Sequence, residues 1–380
     1  MKSKRNKMIL SVIGLIFGFI AGYLGISGLK NAGISGEQSE NLLIIIGISL
    51  CAAAYIQIIV HEVGHLIGGK ASGYEFVSFR IANFMWIKDG EKLRFKKHMV
   101  AGTGGQCLMM PPNGNPYEYP YLLYNFGGAL SNLVVSGICL ILYFLFPDVM
   151  GLKTFLMMMC VIGVFFAVVN GVPMQVGDIS NDGFNARQMK KSKNARYAFW
   201  VQLYINNLLT QGMYLKEISS EYFEMPPDAD LKDPLICTIG ALKCNYLHSQ
   251  KRFKEAKYLT LDLFENAPGL LEIYKNELRC ELLFYEIMGE CRQEEVDKLY
   301  TGALKQYILR TSSYVSRRRL LYAYEMIITQ DQGAAERQYQ AFEKAASDYP
   351  YAGEIEDERK LIEFVKNKVL NKPMEEILNF

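Results

Sequence analysis

Apolar and polar positions are distributed unevenly along this chain. Four runs without a single Asp, Glu, Lys or Arg, at residues 8–29, 42–60, 119–147 and 154–176, interrupt a sequence that is otherwise well charged. Each is long enough to cross the hydrocarbon of a bilayer, about 30 Å thick, which takes roughly 20 residues of helix. Beyond residue 185 the pattern changes: Glu, Lys and Arg become frequent, Gly and Pro thin out, and apolar residues recur at spacings of three and four, the period of a helix face. Between the second and third runs the period shortens. Residues 74–110 alternate in part, with Phe76, Ser78 and Arg80 on one side and Val77, Phe79 and Ile81 on the other. An Asp89-Gly90 pair followed by Lys92, Arg94 and Lys96 predicts a small β-hairpin there. The fold expected is mainly α: a polytopic membrane bundle of about four spans with a β-hairpin insert, joined to a C-terminal α-helical domain. The expected divisions are 1–41, an N-terminal membrane helix and outer loop; 42–185, a membrane core; and 186–380, a helical domain.

Composition agrees with that division. Half of the 380 residues are hydrophobic, an excess gathered in the first 180. A net charge of +2, with no long basic run, excludes nucleic acid as a partner. The eight cysteines show no CxxC spacing, and several fall in apolar stretches, which favours free thiols over a disulfide framework.

Lys2, Lys4, Arg5 and Lys7 precede the first run, and its length and lack of a small-residue cleavage site favour a permanent helix over a signal peptide. The positive-inside rule then puts the N-terminus in the cytoplasm and residues 30–41 outside. Residues 70–118 return to the cytoplasmic side with Lys70, Arg80, Lys88, Lys92, Arg94, Lys96 and Lys97. Residues 148–153 lie outside again, and the C-terminal half, opening with Arg187, Lys190, Lys191, Lys193 and Arg196, is cytoplasmic.

At the end of the second run stands His61-Glu62-Val63-Gly64-His65. Residues four apart share a helix face, so both imidazoles can bind one Zn2+ while Glu62 reaches the attacking water as general base. Two of the chain's four histidines are in this motif, and ionisable groups beside lipid are expensive enough to imply a function. A catalytic zinc takes three protein ligands. Asp178 and Asp182, just past the fourth run and expected at the same depth, are the candidates for the third. Gly102-Thr103-Gly104-Gly105 lacks the Lys-Ser/Thr of a phosphate loop, and His98, without a ligand partner nearby in sequence, reads as a surface residue.

Three motifs in order resemble the site-2 protease family of intramembrane zinc metalloproteases. They are HEVGHLIGGKASGYEF at 61–76, Gly128-Ala129-Leu130-Ser131-Asn132, and Asn170-x-x-Pro173 followed by an Asp-Gly pair. The resemblance spans about residues 42–185. It implies hydrolysis of peptide bonds in or near membrane-spanning segments, one zinc per chain, a protein or peptide substrate held in the lipid bilayer, and a bacterial plasma membrane. It also implies substrate-binding roles for Asn132 and Asn170, and a membrane-edge sheet that presents substrate as an extended strand. Two departures stand out. Ala129 replaces the family's Pro, and the family spacing falls on Asp178, which is followed by Ile179 and not by Gly. Asp182-Gly183 keeps the dipeptide, and a Gly there permits close backbone approach, so Asp182 is the favoured third ligand and Asp178 the alternative.

In the C-terminal half, Phe253, Ala256, Leu263 and Pro268, with a weaker echo at Phe342, Ala345 and Pro350, resemble tetratricopeptide repeats; an ordinary helical bundle is the alternative. Either would suit a protein partner. Arg317-Arg318-Arg319 reads as a solvated face. Two rivals to the site-2 protease reading are a non-catalytic membrane scaffold with a partner-binding domain and a prenyl-protein protease; the latter needs a Glu ligand on a later membrane helix that the sequence does not offer.

Overall fold

The computed structural model describes Gly14, Gly18, Gly22 and residues 37–100, 103–147, 149–176 and 179–370. Apart from those three glycines, the expected first span lies outside the described residues. The described chain is mainly helical, and three of its helices are long and apolar enough to cross a membrane: α1 (Glu37–Ala71), α2 (Leu122–Leu145) and α3 (Met150–Gly171). The chain divides into two compact units. One holds the described residues of 1–76, 104–114 and 119–191, the other those of 77–103, 115–118 and 192–380.

In the first unit α1, α2 and α3 pack against one another. Small residues set the approach of α1 to α2: a Cβ on Gly64 would lie 2.3 Å from the Gly127 carbonyl oxygen, and one on Gly68 2.2 Å from that of Leu123. Backbone contact of this kind is how helices associate where water supplies no driving force. Leu43, Ile44 and Ile48 on α1 and Val134, Ile141 and Phe144 on α2 are left exposed, an outward surface suited to lipid. α1 runs eleven residues beyond the expected end at 60, which keeps the whole His61–His65 segment helical. After α3 come the short strands β5 (Gln175–Val176) and β6 (Ile179–Ser180) and helix α4 (Asp182–Lys191).

The expected hairpin is part of a larger sheet. Strands β1 (Glu75–Ile81), β2 (Phe84–Asp89), β3 (Lys92–Lys97) and β4 (Gly105–Met110) form a four-stranded sheet in the order β3-β2-β1-β4. β2 and β3 pair antiparallel from Phe84↔Lys97 to Asp89↔Lys92, leaving Gly90-Glu91 as the two-residue turn. Gly90 has φ +61°, the left-handed conformation that this turn position selects glycine for. His98, expected at the surface, is buried instead. It stacks on Tyr314 with ring centroids 5.5 Å apart and meets the edge of Tyr349 at 5.0 Å, and burial together with the Arg80 charge pushes its pKa down to about 4.

The second unit also contains helices α5 (Lys193–Thr210), α6 (Pro234–Ser249), α7 (Phe253–Asn266), α8 (Glu272–Met288), α9 (Gln293–Leu299), α10 (Gly302–Arg310), α11 (Val315–Tyr324), α12 (Gln332–Asp348) and α13 (Ala352–Val369). Phe253, Ala256 and Leu263 face inward on α7, and Phe342 does so on α12, so the apolar spacing read from the sequence marks the packed faces. The arginine run is not a solvated face. α11 is packed by α8, α12 and α13, and Arg317 and Arg319 are both fully buried. Glu277 pairs with Arg317, while Arg319 reaches Glu281 at 2.7 Å and Glu358 at 2.6 Å. Removing one partner of such a set strands a buried charge, which costs about 3–5 kcal/mol.

Glu354 accepts a hydrogen bond from the Tyr349 hydroxyl at 2.9 Å. Burial first, and then the nearby Glu358 charge, push its pKa up to about 8. A carboxyl with a raised folded-state pKa holds its proton where the unfolded chain has lost it, so stability falls as pH rises from about 4.5 to 8. Glu354→Gln is therefore expected to melt several degrees above the parent at pH 8.5 and level with it at pH 4.5, since about 1 kcal/mol moves such a domain by roughly 2–4 °C. Circular dichroism melts at the two pH values check this; an equal difference at both would refute the titration as its cause.

Candidate metal centre

His61 and His65 lie one turn apart on α1, both buried, and Asp182, the first residue of α4, faces them. His61 Nε2 is 3.1 Å from His65 Nε2, and Asp182 Oδ2 is 3.2 Å from the first and 3.4 Å from the second. Three ligands about 2.0–2.1 Å from a tetrahedral zinc lie roughly 3.3–3.4 Å from one another, so the triangle has the dimensions of three corners of such a site. Among the described residues this is the one group of His, Cys, Asp and Glu with spacing fit for a metal ion. Asp178 and its neighbours' side chains lie outside the described residues, so the alternative ligand has no position to compare.

The protonation of the two imidazoles follows from their other nitrogens. His65 Nδ1 is 2.7 Å from the Tyr124 carbonyl oxygen, which can only accept, so Nδ1–H donates and neutral His65 presents a bare lone pair at Nε2. For His61 the deduction runs through three helices. Gln57, on α1, donates its amide Nε2–H to the Met159 carbonyl of α3 at 2.7 Å, which leaves its Oε1 as acceptor. Asn132, on α2, donates through Nδ2 to Gln57 Oε1 at 2.7 Å and to the Gln57 carbonyl at 2.8 Å. Its Oδ1 then accepts from His61 Nδ1–H at 2.8 Å, so His61 Nε2 is also bare. With both imidazoles neutral, two lone pairs and a carboxylate oxygen converge within 3.4 Å. A cation among them, a proton or a metal ion, relieves their repulsion, and the donor set of two nitrogens and one oxygen suits zinc.

Close packing holds this arrangement in place. A Cβ on Gly128 would come within 2.5–2.7 Å of three atoms of the His61 ring, so only glycine lets α2 pass that close. Gly163 plays the same part for α3, where a Cβ would lie 2.4 Å from Gln57 Nε2. Asp182 is delivered by a tied-down loop. Asn181 Oδ1 accepts from the amides of Met174 and Phe184, and its Nδ2 donates to the carbonyls of Val169 and Val172, each at 2.6 Å. Gly183 follows because a Cβ there would lie 2.1 Å from the Gly171 carbonyl oxygen; the need is close approach, not a left-handed backbone.

Glu62 is buried and faces the start of β4, where a Cβ on Gly105 would fall 2.6 Å from its Oε1. Gly105→Ala is expected to displace that carboxylate without touching the ligand triangle. If the centre hydrolyses peptides on zinc, as the resemblance implies, cleavage should fall about 10–100-fold while bound zinc, measured by elemental analysis, stays level; loss of zinc would show that Gly105 supports the triangle itself. Asn132 and Asn170, expected to touch substrate, have other partners here. Asn132 is fully buried between His61 and Gln57, and Asn170 donates to the Phe166 carbonyl of its own helix at 3.0 Å. The sequence offered a signal for Gln57, a polar residue one turn before His61 in an apolar run, but none for the Tyr124 carbonyl.

No protein-family model, curated protein or solved structure matches the chain.

Proposed function

We propose that this protein is a membrane-embedded zinc metalloendopeptidase of the site-2 protease type, cutting peptide bonds in or near membrane-spanning segments of proteins or peptides. The observation that carries the reading is the convergence of two imidazole Nε2 atoms, their rings held from behind by Asn132 and the Tyr124 carbonyl on a helix apolar enough to span a bilayer, with one Asp182 carboxylate oxygen beside Glu62. His61, His65 and Asp182 would hold the zinc, which supplies Lewis acidity for the scissile carbonyl and a nucleophile at neutral pH. Glu62 takes a proton from the attacking water and returns it to the departing amine. Asn132 and Gln57 keep the His61 ring turned toward the metal. β4 is an outer strand of its sheet, and Gly105 brings it against Glu62, so an extended substrate can add alongside β4 with its amides open to attack. The positive charge of residues 88–97 supports a cytoplasmic position for that segment, the membrane in this reading being a bacterial plasma membrane, and the role we infer for the C-terminal helical unit is binding of a protein partner.

The test is zinc content and cleavage measured on one preparation. The purified protein is expected to carry about one zinc per chain and to cut a single-span substrate. A chelator should remove both properties, and added zinc should restore both. A preparation that neither binds zinc nor cuts any of several such substrates would replace this reading with that of a non-catalytic scaffold.

A further inference from the structure

One residue of α2 touches both a ligand of the metal centre and the strand beside it. Tyr124, in the first turn of α2, has its main-chain carbonyl 2.7 Å from His65 Nδ1, and its phenol hydroxyl donates to the Cys107 carbonyl of β4 at 2.8 Å. The main chain of Tyr124 therefore steadies a ligand of the triangle, while its side chain holds the strand. The ring between these two bonds is buried and stacked on Tyr74, with centroids 4.9 Å apart and planes 22° from parallel. A ring held in this way leaves the hydroxyl little freedom to follow β4 if the strand moves.

β4 is seated on α1 by its alternate residues, which share one face of the strand. Gly105 lies at Glu62, Cys107 is buried, and Met109 is fully buried at Gly69, where a Cβ would stand 2.3 Å from its Sδ. Gly105 to Met109 spans about 13 Å of strand and Glu62 to Gly69 about 10 Å of helix, so β4 runs beside α1 in the same direction with its length nearly matched. The contacts at Gly105 and Met109 are packing, which resists a sideways shift more than a slide along the strand. The bond from Tyr124 to Cys107 falls between them and is directional. It marks one register of β4 relative to His65 and Glu62.

We propose, on the reading of the centre as a zinc endopeptidase with its substrate laid alongside β4, that Tyr124 is a positioning residue whose hydroxyl sets which peptide bond is cut. A strand that adds to β4 takes its register from β4, and β4 takes its own from the Tyr124 hydroxyl. Main-chain pairing reads little sequence, so the place of the cut is chosen by where the strand stands relative to the metal. A displacement of β4 by less than the roughly 3.3 Å rise of one residue changes which substrate carbonyl lies nearest the metal, because the substrate moves with the strand. Without the hydroxyl, neighbouring bonds come within reach of Glu62.

The experiment is cleavage of a single-span peptide by the full-length protein in detergent micelles, with mass spectrometry of the products and elemental analysis of the protein. The parent is expected to cut mainly at one bond. Tyr124→Phe keeps the ring and the main-chain carbonyl, so it should keep its zinc, while the share of product cut at neighbouring bonds rises about three- to tenfold, the factor one hydrogen bond is worth. Gly69→Ala, which pushes on Met109 at the far end of β4, should broaden the products in the same way. Tyr74→Phe keeps the stack and removes a buried hydroxyl that has no hydrogen-bond partner, so it should cut where the parent does. A role for Tyr124 in stability alone would lower the rate and leave the product distribution as it was. The proposal is overturned if Tyr124→Phe, with zinc bound, gives the parent's products, if it loses zinc, or if Tyr74→Phe broadens the products as much. Thermal melts show which variants are folded; were Tyr124→Phe not among them, unchanged products from Gly69→Ala would overturn the proposal. A parent that neither binds zinc nor cuts removes the protease reading and this inference with it, whereas a parent that does both beside a Tyr124→Phe with unchanged products removes this inference alone.

Discussion

Replacing Glu62 with Gln is expected to leave zinc bound and to lower cleavage of a single-span substrate by about 10³-fold, within the range spanned by general acid–base catalysis. Gln keeps the size and shape of Glu and differs in one respect that matters: its amide cannot take a proton from water at neutral pH. The ligand triangle contains no atom of Glu62, so the metal should stay. Elemental analysis and a gel-based cleavage assay on the same preparation separate the two properties. Retained zinc with full activity would remove Glu62 from the mechanism. Lost zinc together with lost activity would instead make it part of the structural support for His61, its neighbour in the chain.

How far the centre could be read from the sequence depends on what each residue's position depends on. His61, Glu62 and His65 are related by one helix, whose period alone places them on a face, so five letters were enough. Asp182 comes from another helix, and only the order of the apolar runs and a resemblance pointed to it. The reason that Gly follows it became plain only with the Gly171 carbonyl 2.1 Å from where a Cβ would stand. The hydrogen-bond relay from Met159 through Gln57 and Asn132 to His61 joins three helices, and no spacing in one chain encodes a contact among three. Asn132 was therefore noticed and given a different part: it has the His61 ring to orient, and no amide hydrogen left over once both face Gln57.

The same division holds for the fold. Long uncharged runs mark α1, α2 and α3, whose length and apolar character are those a bilayer crossing requires, a constraint written into local composition. Helices α5 to α13 declared themselves by period, and the inward positions of α7 followed from the same spacing. What failed was the reading of charged or polar residues by type. Arg317 and Arg319 were assigned to solvent because arginine seldom tolerates full burial unless paired. Their partners Glu277, Glu281 and Glu358 stand on α8 and α13, at separations of 40, 38 and 39 residues along the chain. His98 was misplaced for the same reason: Tyr314 and Tyr349, which cover it, belong to a part of the chain more than two hundred residues further on.

Replacing Asp182 with Asn is the second change with a large expected effect, and it decides between the two aspartates. Zinc content should fall to a small fraction of the parent's and cleavage with it, while Asp178→Asn keeps both. The amide is nearly the same size as the carboxylate it replaces, so the loop held by Asn181 and the start of α4 have no cause to move. What is lost is charge. Two neutral imidazoles with a neutral amide oxygen give zinc no anionic ligand, and amide carbonyls suit harder ions better. The burial of His61 and His65 sharpens the effect, because in a site shielded from water a missing charge is not replaced by solvent. Excess zinc should restore part of the activity of Asp182→Asn if its triangle is intact, a rescue that a misfolded variant would not show. If Asp178→Asn is the variant that loses zinc and Asp182→Asn keeps it, the triangle seen here is not the ligand set, and Asp182 serves only to hold the two imidazoles in place.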